Sequence, residues 1–466
     1  MDRVKFSDIH PFPFSPRSGT VAYKMKDLPA EVKKARQSIL IKKKEVLQKM
    51  LYFVLEMEKN MNCIVAQSGG PTAAINATLA GVIKGAFINN FDNVYGSVNG
   101  IEGILNNNIV NLNIFKDEHK FNLLKQTPSA FLGSCRKKLP EYTENEEIFK
   151  QITDFMLERD IKYFFYIGGN DSMDTVAKMN RYVKAKNIDI KCMGVPKTID
   201  NDLPVTDHTP GFGSAAKYIA TTVREITCDS RVYDKDTVTI VEIMGRSAGW
   251  LTASSALARR FDGDGPHLIY LPERDFDIEK FLKDLTDVVK KEKNAVVCVS
   301  EGIKDKDGTY ICEKTSSGLY DTFGHKYLSG TAKALEDLVR EKLGFKVRGV
   351  ELSVCQRCAG HIISLRDIEE SVLIGKSAVE FALMGKSGEM VFYKRLSSDP
   401  YKIHIESHNI EDIANLEQTV PDNMISKDAN DVTEDAIIYL KPLIEGEYPV
   451  IYKDSLPDII TLKDIL

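Results

Sequence analysis

Residues 163–184 read YFFYIGGNDSMDTVAKMNRYVK. Tyr163–Ile167 is an unbroken aromatic and branched run, which reads as a buried strand, and Asp174–Lys184 carries helical spacing. Gly168-Gly169-Asn170-Asp171-Ser172 joins them. The same unit recurs outward in both directions. Further strands are expected at Cys63–Ala66, Val94–Val98, Ile190–Val195, Thr237–Ile243, Leu268–Leu271, Ala295–Val299 and Gly349–Cys355. Helices are expected at Ala73–Phe87, Ile148–Glu158, Ala215–Cys228, Ile278–Glu292, Tyr327–Lys342 and Ser371–Met384. Strands alternating with helices predict an α/β chain with doubly wound, mainly parallel sheets, whose ligands sit beyond the carboxyl ends of the strands.

The loops at those ends therefore carry the functional reading. Gln67-Ser68-Gly69-Gly70-Pro71-Thr72 and the 168–172 loop each join a strand to a helix, where backbone N–H groups and the positive helix end suit an anion. Neither ends in Gly-Lys-Ser/Thr or keeps a dinucleotide fingerprint. Either alone also suits a ligand-free turn; two in one sheet point to phosphate. The third loop, Pro196-Lys197-Thr198-Ile199-Asp200-Asn201-Asp202, brings two carboxylates together. Extended alternation puts Lys197 and Ile199 on one side and Thr198, Asp200 and Asp202 on the other. Paired carboxylates suit a general base beside a residue near Mg²⁺, although Asp-Asn-Asp also makes solvated turns. Met244-Gly245-Arg246 follows a strand, so its guanidinium is placed to grip phosphate. Arg136, Arg348 and Arg357 offer more such groups, each equally suited to a surface ion pair. Glu273, after Pro272, suits sugar hydroxyls or plain solvent.

Composition excludes other classes. The chain has 466 residues, net charge −5, 28% charged and 43% hydrophobic residues. This is the balance of a soluble globular protein, with no nucleic-acid or membrane partner expected and a cytoplasmic location. The length calls for two or more lobes. His208, His267, His325 and His361 fall in no metal-ligand spacing, and no Gly-x-Ser-x-Gly elbow occurs. Of the eight cysteines, Cys355 and Cys358 form the one Cys-x-x-Cys, read as two buried thiols at a strand end. Residues 1–60 hold 13 Lys and Arg against 7 Asp and Glu, so this extension is net +6 and the remainder net −11. Its first 26 residues lack periodicity, and Ala30–Asn60 reads as a basic amphipathic helix, a lid or oligomerisation arm. A second account stands beside this one: Met57-Glu58 is encoded AUGGAR, a purine run shortly before Met61, so with a bacterial source Met61 is a candidate start and residues 1–60 would be upstream sequence read in frame.

In this order the loops resemble those of the phosphofructokinase family, from Met61 to about Gly388. The resemblance implies two Rossmann-like lobes: a phosphoryl-donor lobe of 61–212 with about 356–410, and a sugar-phosphate lobe of 213–355 with about 411–466. It implies transfer of a phosphoryl group to the 1-hydroxyl of fructose 6-phosphate with Mg²⁺. Asp200 resembles the base, assisted by Lys197, Asp202 and Arg246. Gly69, Gly70, Arg136, Gly169, Asn170, Asp171 and Ser172 resemble the donor site. Thr198, Asp200, Met244, Gly245, Arg246, Glu273, Arg348 and Arg357 resemble the sugar-phosphate site, one arginine of which family members borrow from a neighbouring subunit, implying a homodimer or homotetramer. Asn170, Asp171 and Asp202 are the metal candidates. Members that use ATP carry Gly-Gly-Asp-Gly-Ser and Pro-Gly-Thr-Ile-Asp, where this chain has Asp171 and Lys197. Asp171 adds bulk and like charge against a nucleotide, and Lys197 adds a cation for a compact, highly charged donor, so pyrophosphate is expected and the reaction is expected to be reversible. The alternatives are an ATP-dependent member or a non-catalytic regulatory subunit. Departures from the family pattern are Asn170 in place of Asp, Thr237 in place of Arg and Val354 in place of His.

Overall fold

The computed structural model describes residues 29–34, 36, 38–39, 61–232, 234–314, 330–413 and 416–465. The first 26 residues, most of the helix expected over 30–60 and the start of the one expected at Tyr327 lie outside the described residues; residues 30–34, 36, 38 and 39 are helical. The chain divides into two compact units, Met1–Met61 and Asn62–Leu466. The second unit holds every strand found among the described residues.

Eleven of these strands build two sheets. The larger opens with β1 (Asn62–Gln67), β2 (Asn93–Ser97), β3 (Ile109–Asn111), β4 (Ile161–Gly168) and β5 (Lys191–Pro196). The smaller is β6 (Thr237–Ile243), β7 (Leu268–Tyr270), β8 (Asn294–Ser300) and β9 (Lys346–Glu351), after which β10 (Glu389–Ser398) and β11 (Tyr401–Asn409) return to the larger. The strand orders are β11-β10-β5-β4-β1-β2-β3 and β7-β8-β6-β9. All pairs are parallel except β2 with β3 and β10 with β11. The seven helices of twelve or more described residues are α1 (Ile75–Ile88), α2 (Glu146–Leu157), α3 (Asn170–Ala185), α4 (Phe212–Ser230), α5 (Ile278–Glu292), α6 (Thr331–Leu343) and α7 (Leu365–Leu383). Each answers to an expected helix. Every residue of β1 and β8 is buried, as strands covered on both faces must be.

Two features place the site. In the larger sheet the chain goes from β1 to β2 on one side and later to β4 on the other; in the smaller it goes from β6 to β7 and β8, then to β9 beyond β6. Beyond each reversal the connecting loops part and leave a crevice. The second feature is a close helix crossing. A Cβ on Gly81 of α1 would stand 2.2 Å from the Val372 carbonyl oxygen of α7, and one on Gly375 would stand 2.2 Å from that of Thr78. Only glycine lets these two backbones touch.

Two expectations need correction. The strand expected over Gly349–Cys355 is β9, displaced toward Lys346; Ser353, at φ 43, turns the chain, and Cys355–Cys358 is one helical turn. Cys355 and Cys358 are exposed, not buried. Among the described residues, no helix is long and apolar enough to cross a membrane.

Candidate functional site

The loops beyond β1, β4, β5, β6 and β8 converge on one cleft of about 380 Å³, a size within the roughly 300–1,000 Å³ typical of small-molecule sites. Gly69 and Gly70 form one wall, and Gly69, at φ 79, turns the chain in a region that favours glycine. Arg136 stands beside them. Gly169, Asn170, Asp171 and Ser172 form the second wall, where α3 begins and its positive end opens onto the cleft. Asn170 Nδ2 donates to the Leu416 carbonyl at 2.7 Å, while its Oδ1 is buried with no hydrogen-bond partner. Asp171 pairs with Lys138 at 2.9 Å, both half exposed.

The floor is the segment after β5. Lys197 Nζ donates to the Gly70 carbonyl at 2.6 Å, tying the floor to the first glycine loop. Alternation would have set Lys197 opposite the carboxylates. Instead it shares their cleft, because the chain turns rather than extends: Asp200 N–H donates to Thr198 Oγ1 at 3.1 Å, and Asn201 has φ 56. Burial pushes the Lys197 ammonium down to about 8, against the pull of Asp200 and Asp202. Burial raises the Asp200 carboxyl, with a hydrogen bond from Thr198 and the charges of Lys197, Arg246 and Arg357 opposing it. Asp202 is pushed up to about 7 by burial, then by the negative charges of Asp200 and Glu417.

From the smaller sheet come Met244 and Arg246, whose Nε is buried with no hydrogen-bond partner. Gly245 supports this turn from behind, donating its N–H to Glu301 Oε1 at 3.3 Å. Arg357 reaches the cleft from the helical turn at 355–358 and lies against the first glycine loop, 3.6 Å from the position a Gly70 Cβ would occupy. Gln356 Oε1 anchors that turn by accepting from Met244 N–H at 3.2 Å.

Three expected residues do not line the cleft: Gly245, which stands behind its turn, Glu273 and Arg348. Glu273 Oε1 accepts from Gly249 N–H at 2.7 Å and Val420 N–H at 2.9 Å, bracing the turn after β6. Arg348 projects from β9 with 70% of its side chain exposed, 3.8 Å from Asp229. Conversely, Glu301 and Glu417 line the cleft unexpectedly. Glu301 caps β8, and burial, then Asp200 and Glu242, raise its carboxyl to about 7. Its position at a strand's carboxyl end was the available signal; Glu417, from the distant C-terminal segment, offered none.

For a divalent cation the donors are hard oxygens. Mg²⁺ takes one or two carboxylates plus phosphate oxygens and water. Among the described residues no three His, Cys, Asp or Glu side chains form a ready metal cluster, but the orphaned Asn170 Oδ1 and the Asp202 carboxyl, raised by burial and then by the charges of Asp200 and Glu417, suit a cation completed by phosphate oxygens and water.

The family profile described as Phosphofructokinase matches residues 62–382. A pyrophosphate–fructose 6-phosphate 1-phosphotransferase of Xanthomonas campestris pv. campestris is 40% identical over 409 residues, which are 87% of this chain and 97% of that protein. One of Halomonas elongata is 38% identical over 405 residues, 86% of this chain and 96% of its own. The crystal structure of a pyrophosphate-dependent phosphofructokinase from Nitrosospira multiformis has a TM-score of 0.77 at 38% identity, covering 86% of this chain and 96% of that one.

Proposed function

The chain belongs to the phosphofructokinase family, and from that premise we propose that it transfers a phosphoryl group reversibly from pyrophosphate to the 1-hydroxyl of fructose 6-phosphate, giving fructose 1,6-bisphosphate and phosphate. One observation carries the choice of donor: a buried lysine, Lys197, bonded to the first glycine loop, in the same cleft as Asp171 on the second. The ammonium offsets charge on a small inorganic donor, while Asp171 repels and crowds a nucleotide.

In this reading Asp200 takes the proton of the attacking hydroxyl, its raised carboxyl being a better base near neutrality than an ordinary aspartate. Lys197 and Arg246 face the oxygens on which negative charge gathers as the phosphoryl group leaves. Arg136 and the start of α3 hold the donor; Thr198, Met244 and Glu301 border the sugar. Asp202, Asn170 and Asp171 would hold Mg²⁺, which when bound neutralises charge across the phosphates. Arg348, exposed and outside its own cleft, would reach a neighbouring chain's 6-phosphate, so the working form is at least a dimer.

Purified protein assayed with each donor tests this. Turnover with pyrophosphate should far exceed that with ATP. Comparable or faster ATP turnover overturns the donor reading, and no transfer from either donor leaves a non-catalytic subunit.

A further inference from the structure

Just beyond Asp202 in the chain lies a second buried set of charges, none of which lines the cleft. His208 is 3% exposed. Its Nδ1 is 2.8 Å from Asp207 Oδ2 and its Nε2 is 2.8 Å from Glu370 Oε2. An ionised carboxylate only accepts hydrogen bonds, so both ring nitrogens must donate, and a ring that donates twice is an imidazolium. The ring stacks on Tyr393 with centroids 4.4 Å apart. Asp207 Oδ2 also accepts from Arg395 Nε at 3.1 Å and from its NH2 at 2.9 Å, and Tyr401 donates to Glu370 at 3.3 Å. Asp367 of α7 and Tyr439 complete the titratable surroundings.

This cluster grips the turn that bears Asp200. Tyr439 OH donates to the Asp207 carbonyl at 2.6 Å and accepts from Asn201 Nδ2 at 2.9 Å. Thr209 N–H donates to Asn201 Oδ1 at 3.0 Å, and Thr209 Oγ1 donates to the Thr198 carbonyl at 2.7 Å. Asn201, held in the left-handed region, separates Asp200 from Asp202. The residues on either side of His208 thus hold the catalytic turn from below.

Resting on the function proposed above, we propose that His208, an imidazolium bridging Asp207 and Glu370, is a positioning residue that fixes the Thr198–Asp202 turn for phosphoryl transfer. The same geometry agrees with an imidazole raised to about 9, where burial is outweighed by the two carboxylates. A neutral ring donates once only, so one carboxylate would face a lone pair.

The test has two arms. Nitrogen-15 NMR of histidine-labelled, full-length protein should show one imidazole with both nitrogens protonated at pH 7.5 that is absent from His208→Gln; a neutral His208 ring overturns the proposal whether or not the enzyme turns over. In the second arm, His208→Gln should lower kcat about tenfold or more, within the ~10²-fold that a misplacement of roughly 1 Å costs, with both KM values near those of wild type. Glu370→Gln keeps an acceptor at Nε2 and removes its charge. It should lie between the two in kcat and shift the His208 titration to lower pH. An unchanged kcat in His208→Gln, or equal losses in kcat and in binding, overturns the positioning role. Absence of pyrophosphate turnover in wild type would sink the proposed function instead, leaving the NMR result standing.

Discussion

The Asp200–Asp202 turn and the His208 cluster are neighbours in sequence, and both bury carboxylates, yet their electrostatics run in opposite directions. Asp200, Asp202 and Glu301 are all raised by burial, with carboxylates as near neighbours and Lys197 itself pushed down. In the cluster, His208 and Arg395 outweigh burial and hold Asp207 below the usual carboxylate range. Desolvation is the same cost in both places; what differs is compensation. Carboxylates left under-compensated readily take a proton, and compensated ones hold a shape.

The sharpest way to break this contrast is on the acidic side. Asp200→Ala should cut turnover by about 10²–10⁴-fold while leaving sugar-phosphate affinity largely intact; steady-state kinetics with a binding isotherm reads both, and near-normal turnover removes Asp200 from the role of base. On the compensated side, Arg395→Met takes one cation from Asp207 and should cost about 3–5 kcal/mol of stability in denaturant unfolding. A loss below about 1 kcal/mol would mean that the cluster is not a stabilising one.

The pH dependence separates the two regions again. The activity of the free enzyme should fall as pH drops through about 7, where Asp202 gains its proton, and as pH rises through about 8, where Lys197 loses one. A kcat/KM profile flat from pH 6 to 9 would refute this. The contribution of His208 to stability is fully present below its ordinary 6.5 and is lost as pH rises through about 9. Unfolding free energies measured across that window should carry a declining component that His208→Gln lacks. The smallest effect belongs to the exposed Lys138–Asp171 pair: Lys138→Ala should change stability by about 0–1 kcal/mol, and thermal unfolding that shows more would place it with the buried groups.

The glycine-bearing turns are readable in the sequence because each follows an apolar run directly, and local order is enough to place a residue at a strand's end. Glu301 obeys the same rule, though no motif marks it. Arg348 and Glu273 also stand beside apolar runs, yet their partners, Asp229 for one and the backbone of Gly249 and Val420 for the other, lie on segments whose proximity only folding creates. Simple alternation puts Lys197 on the wrong face, since the Thr198 hydroxyl accepts from the Asp200 backbone N–H and bends the strand end. The hairpin of β10 and β11 is hard to read because its second half alternates exposed and half-buried residues with no continuous apolar run. The His208 cluster is invisible for a different reason: Glu370 and Arg395 come from far along the chain, and no spacing announces them.

The backbone contact between Gly81 and Gly375 has a long reach. The helix that contains Gly81 starts just past the first glycine loop, and the one that contains Gly375 carries Glu370. A single methyl group added at position 81 would act as a wedge between them, prising the first glycine loop away from the histidine beneath the Thr198–Asp202 turn. The least chemical change the chain can suffer would then be felt at two distant sites together.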